Sequence, residues 1–83
     1  MDIVAQKNDC LVFVEVRSRR NLNFGTLEES VTVAKKRKLA NTALHYVTTH
    51  TGLPEQWRVD VVAVEVAPSG EVSRMEHIED ALS

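Results

Sequence analysis

The chain has 83 residues, of which 43% are hydrophobic and 27% charged, with a formal net charge of −2; this profile fits one small folded domain and leaves no room for a second. A domain this short buries only about 60% of the surface its unfolded chain exposes, so help from a second copy, as a homodimer, is expected. The single cysteine, Cys10, excludes an internal disulfide framework and a multi-cysteine zinc site. No apolar run approaches the ~18 residues of a membrane helix and no signal-like segment opens the chain, so a reducing, cytoplasmic setting away from membranes is expected.

Two β-type runs come first, Asp2 to Gln6 and Leu11 to Arg17, and the Asn8-Asp9 pair between them has the chemistry of a hairpin turn. In the second run Val12, Val14 and Val16 take one face while Leu11, Phe13, Glu15 and Arg17 take the other. Both faces are apolar until the end, which predicts a central strand whose charged tip emerges at the rim of the sheet. Ser18 to Thr26 reads as loop, and Leu27 to Val31 as a short turn before a helix. Thr32 is a suitable N-cap, and Leu39, Ala43, Tyr46, Val47 and His50 recur at helical spacing until Gly52-Leu53-Pro54 stops the helix. Arg58 to Val66 is a third strand, opened by Trp57, Pro68-Ser69-Gly70 a turn, and Val72 to Ile78 a fourth strand. The expected fold is α/β, in the order ββαββ, with one main helix on a mixed sheet.

Charge is unevenly distributed. From Arg17 to Lys38 seven basic residues stand against two acidic ones, a local net of +5, whereas residues 39–83 carry two arginines against seven carboxylates, a net of −5. A basic middle of this kind can serve as a phosphate-binding surface or simply as a solvated helix face.

Two constellations bear on chemistry. If Asn8 and Asp9 are the two turn residues, Lys7 pairs with Cys10 and Asp2 falls opposite Glu15. Opposed side chains in an antiparallel pair sit ~4.5–5.5 Å apart and like charges there are unfavourable, so a divalent cation would offset the repulsion. Mg²⁺ suits the position because it takes one or two carboxylates and keeps several waters. Arg17, on the same face, supplies a fixed positive charge where an attacked phosphate would sit. The alternative is that Asp2 frays at the terminus and Glu15 pairs with Arg17 in solvent. The second constellation is Lys35-Lys36-Arg37-Lys38 at the start of the helix. Cations there oppose the helix dipole by ~0.3–1 kcal/mol each, so phosphate binding, with Lys35 and Lys38 on a shared face, competes with a simple solubility role. His45 and His50 are too poorly aligned to chelate, and Cys10 lacks a neighbouring base.

Asp2-Ile3-Val4-Ala5, Leu11 to Arg19, Phe24-Gly25, Lys35 to Leu39, Val59 to Val64 and Glu76-His77-Ile78 together resemble, in order, the YraN-like (UPF0102) family of proposed bacterial endonucleases. The resemblance covers nearly the whole chain. It implies a restriction-endonuclease-like fold related to Holliday-junction resolvases, whose motif is an acidic residue followed by D/E-x-K on the next strand. On that resemblance Asp2 and Glu15 are the two metal-holding acids, Arg17 occupies the lysine position, and Lys35 matches the basic residue of the following helix. There are two departures. Family members usually begin with a helix carrying a further glutamate and then Gly-Glu-x-Asp, so residues 1–83 are expected to be an N-terminally truncated domain. Arginine at position 17 keeps the charge but cannot exchange a proton at working pH.

The resulting expectation is a nucleic-acid-binding domain, for DNA rather than RNA, of an endonuclease using Mg²⁺ or Mn²⁺. Asp2, Glu15 and Arg17 are its catalytic residues, Asp2 and Glu15 its metal ligands, and Arg17, Arg19, Arg20, Lys35, Lys36 and Lys38 its nucleic-acid contacts; cleavage is expected to be weak or absent. The alternative is a non-catalytic nucleic-acid-binding or dimerisation module that kept the fold and lost the chemistry. A protein-interaction domain using the acidic C-terminal half has less support.

Overall fold

The computed structural model describes residues 2–20 and 32–82. The expected loop from Asn21 to Thr26, including Phe24-Gly25, and the short turn at Leu27 to Val31 lie outside the described residues.

The elements are β1 (Ile3–Lys7), β2 (Cys10–Arg20), α1 (Val33–Thr49), β3 (Gln56–Val66) and β4 (Val72–Ile78). They form one mixed sheet in the order β1-β2-β3-β4. β2 and β3 are parallel, and the two outer pairings are antiparallel. This is an α/β fold with the ββαββ order of a small restriction-endonuclease-like core, and β2 is central, as its two apolar faces require.

The hairpin has the register that the turn arithmetic predicts, with Lys7 opposite Cys10 and Ile3 opposite Val14. Asn8 sits at φ 55, a left-handed conformation that asparagine tolerates better than most residues. The strand ends differ from the sequence reading. β1 starts at Ile3 rather than Asp2, β3 starts at Gln56 rather than Arg58, and β2 runs on through Ser18, Arg19 and Arg20, which read as loop. The β2 extension has a tertiary cause: β3 offers a parallel partner as far as Val66, which pairs with Arg20, and the ladder continues as far as that partner does.

Thr32 caps α1, its hydroxyl accepting the Lys35 N–H at 3.3 Å. At the other end the His50 N–H donates to Tyr46 O at 3.2 Å, and Gly52 at φ 75 turns the chain towards Pro54. Because β2 and β3 are parallel, α1 must return the chain across the sheet, and its buried residues Leu39 and Ala43 pack on Leu11, Phe13, Val59 and Val61. Phe13 is the centre of this core, fully buried, with edge-to-face contacts to Tyr46 at 5.4 Å and Trp57 at 5.9 Å. After β4 a turn missed by the sequence reading closes the core: Ala81 is buried and its N–H donates to Val59 O at 2.7 Å. Among the described residues no helix is long and apolar enough to cross a membrane.

Candidate metal and nucleic-acid site

Side-chain alternation places Leu11, Phe13, Glu15, Arg17 and Arg19 of β2 on the face covered by α1. The pairings extend that face to Trp57, Val59, Val61, Ala63 and Glu65 of β3 and to Ile78, Glu76 and Arg74 of β4. The apolar members lie under the helix. The charged ones follow at the carboxyl ends of the parallel strands, where ligands bind in open α/β sheets. The N-terminus of α1 points to that same end. A surface hollow of about 610 Å³, lined by residues that include Asp9, Gly52 and Pro54, lies at the opposite end and touches none of these charges.

Asp2 is the residue before β1, and by continuation of the hairpin register it stands opposite Glu15. Its backbone and side chain finish the ladder. The Asp2 N–H donates to Val14 O at 3.2 Å, and the Val16 N–H donates to Asp2 Oδ2 at 2.7 Å. The carboxylate therefore replaces a main-chain acceptor where the described ladder ends. Glu15 pairs with its strand neighbour, Oε1 lying 3.4 Å from Arg17 Nη2, with side-chain exposures of 17% and 38%. Each carboxylate thus has a partner within the chain, and the repulsion between them does not by itself demand a cation.

One oxygen on each, Asp2 Oδ1 and Glu15 Oε2, has no partner among the described residues. Among the described residues no group of three or more His, Cys, Asp or Glu side chains comes together there, so these residues offer two carboxylates. That donor set fits Mg²⁺, which is often held by one or two carboxylates with water and substrate phosphate in the remaining positions; it does not fit a closed structural metal site. Among the described residues the charged end of this face carries Asp2, Glu15, Glu65 and Glu76 together with Arg17, Arg19 and Arg74.

The basic run at the start of α1 divides between two environments. Lys35, Arg37 and Lys38 are exposed, while Lys36 is half-buried on the stripe that continues through Leu39 and Ala43 to Tyr46. Lys36 therefore faces the sheet, and Lys35 and Lys38 face solvent. Arg19 is half-buried, and Arg20 is exposed at the last residue of β2. His45 and His50 do not come together as a metal site: His50 stacks on Tyr46 with ring centroids 3.9 Å apart.

Two networks on β3 escaped the sequence reading. On the helix side Glu65 Oε2 lies 3.5 Å from Arg19 Nη2 and 3.2 Å from Arg74 Nη2. On the opposite face Asp60, 1% exposed, accepts from His77 Nε2 at 2.8 Å, the Asp80 backbone N–H at 3.0 Å and Arg58 Nη2 at 3.3 Å. Burial alone would raise the Asp60 carboxyl, but the Asp80 amide, His77 and Arg58 outweigh it and hold the group below its ordinary value. The available signal was a charged residue at an inward position of an otherwise apolar strand, in Val59-Asp60-Val61 and Val64-Glu65-Val66.

A family model described as "Uncharacterised protein family UPF0102" matches residues 1–64. The chain belongs to the UPF0102 family. A UPF0102 protein of Dictyoglomus turgidum is 38% identical over 81 residues, covering 98% of this chain and 69% of that protein. One from Symbiobacterium thermophilum is 46% identical over 70 residues, covering 84% of this chain and 59% of its own length. One from Pelotomaculum thermopropionicum is 40% identical over 81 residues, with 98% and 68% covered. No solved structure matches the chain. The stretch matched by the UPF0102 model contains Asp2, Glu15, Arg17, Lys35 to Lys38 and Asp60, and stops one residue before Glu65.

In this UPF0102 chain Asp60 ties the C-terminal turn and His77 to β3, and its lowered pKa sets the sign of the pH dependence. A carboxyl depressed in the folded state contributes stability above its unfolded value, near pH ~4, and loses it as pH falls through the folded value. Asp60→Asn should cost about 2 kcal/mol at neutral pH and flatten the acid limb of the stability curve, as measured by urea denaturation between neutral pH and about pH 3.

Proposed function

We propose that this chain is the nucleic-acid-binding part of a metal-dependent phosphodiesterase that acts on DNA. The observation that supports this reading most is the convergence at one end of the sheet of Asp2, Glu15 and Arg17 with the basic N-terminus of α1. The two carboxylates would hold Mg²⁺ or Mn²⁺ through their unengaged oxygens. The ion, when bound, supplies a nucleophilic water at neutral pH and charge neutralisation at the phosphate. Arg17 holds a positive charge beside the phosphoryl oxygens but moves no proton, so the leaving oxygen takes its proton from solvent. Lys35, Lys36, Lys38, Arg19 and Arg20 bind backbone phosphates, which position the strand without reading its sequence.

A second reading, a DNA-binding module without cleavage, is favoured by a specific observation: Asp2 is engaged with the Val16 amide and Glu15 with Arg17. Two ligands already engaged within the chain make a weak metal site, and weak turnover follows.

The experiment is a nuclease assay on branched, single-stranded and duplex DNA with Mg²⁺ or Mn²⁺. Slow metal-dependent cleavage that disappears in Glu15→Ala is expected; binding without any cleavage selects the second reading. Replacing Lys35 and Lys38 together by alanine should weaken binding to all sequences and lower the slope of log affinity against log salt by about two, as read by titration at several salt concentrations. Affinity indifferent to salt and to this double change points instead to a protein-interaction role. The helix-free face of the sheet leaves Ile3, Val16 and Met75 exposed at 52%, 43% and 69%, and we propose that a second copy covers it. Sedimentation equilibrium at about tens of micromolar should show a dimer, and a monomer there overturns this part of the reading.

A further inference from the structure

One step beyond Arg17 along the strands, β2, β3 and β4 present Arg19, Glu65 and Arg74 side by side on the helix side of the sheet. Glu65 is 8% exposed, and burying a carboxylate is unfavourable unless donors surround it. Both of its oxygens are engaged. Oε2 receives Arg19 Nη2 at 3.5 Å and Arg74 Nη2 at 3.2 Å, and Oε1 accepts the Ser73 hydroxyl at 3.3 Å. The Ser73 hydroxyl also reaches Glu65 O at 3.2 Å, which fixes this carboxylate against β4.

Glu65 thus lies between two guanidiniums and holds one nitrogen of each. The Arg74 side chain is 50% exposed, and with one nitrogen on Glu65 the rest of its planar fork remains available to solvent. An arginine fork matches a phosphate with paired hydrogen bonds, and holding it in place beforehand reduces the ordering required on binding. Arg17 and Arg19 share a face two residues apart, about 6.6 Å along β2. Arg17 and then Arg19 with Arg74 are therefore successive guanidinium positions leading away from Asp2 and Glu15, an arrangement suited to a polymer backbone rather than to a lone mononucleotide.

We propose that Glu65 is a positioning residue that holds Arg19 and Arg74 as a second phosphate clamp, which grips the DNA backbone next to the phosphate presented to Asp2, Glu15 and Arg17. This rests on the proposed function and deepens it. Both Glu65 oxygens are engaged by Arg19, Arg74 and Ser73, whereas Asp2 and Glu15 each keep one oxygen without a partner among the described residues.

The test separates positioning from bulk charge. Glu65→Gln makes the protein one charge more positive, so a purely electrostatic surface would bind DNA more tightly, whereas loss of positioning weakens it. Fluorescence anisotropy with a labelled DNA oligonucleotide would compare the full wild-type chain with Glu65→Gln, Arg74→Ala and Arg74→Lys, with circular dichroism melts as the folding control. Glu65→Gln and Arg74→Ala are each expected to bind about tenfold more weakly. Arg74→Ala should lower the salt slope by about one, and Arg74→Lys should keep the slope without regaining full affinity, since lysine lacks the fork. A wild type that binds while Glu65→Gln binds equally or more tightly, or while Arg74→Ala is unchanged, overturns the clamp and leaves the proposed function standing. A wild type that does not bind DNA overturns both. Should Glu65→Gln fail to fold, the two changes at half-exposed Arg74 decide the matter alone.

Discussion

The parallel pairing of β2 with β3 over eleven residues each is the constraint on which the rest of the molecule depends. Eleven residues of strand run about 36 Å, while the seventeen residues of α1 span only about 26 Å. One helix therefore cannot cover the ladder it connects. The part under α1 is apolar, from Leu11 and Phe13 across to Val59 and Val61; further along the same face the residues become Glu15, Arg17, Arg19 and Glu65. The charged end is thus a consequence of the mismatch in length, and the connection brings the basic first turn of α1 to the same end. A hydrophobic core and a candidate phosphate site share two strands.

The two buried carboxylates of β3 answer different needs. Asp60 lies on the helix-free face, and its partners His77 and Asp80 belong to the end of the chain, so its charge closes the C-terminal turn over the core at Ala81. Glu65 lies on the helix face, and its partners Arg19 and Arg74 come from the strands on either side, so its charge arranges cations at the charged end of the sheet. Both conform to the rule that a buried charge survives only when donors surround it. Asp60 is nearly inaccessible and serves the fold; Glu65 stands between half-buried Arg19 and half-exposed Arg74.

Membership of the UPF0102 family and the α/β fold place Asp2, Glu15 and Arg17 in a shared framework without deciding their chemistry. The chain spans 59% to 69% of the length of the relatives described. Within the span it has, the Asp2 carboxylate terminates the β1–β2 ladder through the Val16 amide, so it has a structural task as well as a candidate catalytic one. Any metal would share these two side chains with the hairpin and with Arg17.

Local chemistry by itself determined a good deal of this protein. The Asn8-Asp9 turn set the hairpin register, Thr32 and the Gly52-Leu53-Pro54 stop bounded the helix, and the alternation in Leu11 to Val16 announced a central strand. These features depend on neighbours in the chain, where turn geometry, capping and period-two burial act within a few residues. Tertiary structure alone decided that Ser18 to Arg20 extend β2, that Ala81 completes the core, that Lys36 rather than Lys35 or Lys38 faces the sheet, and that Glu65 gathers Arg19 from 46 residues away. Parallel strands are joined by no tight turn that could record their register locally; it emerges only when the helix packs and the two strands align. Charges on different strands then become neighbours for reasons that no short stretch of sequence contains.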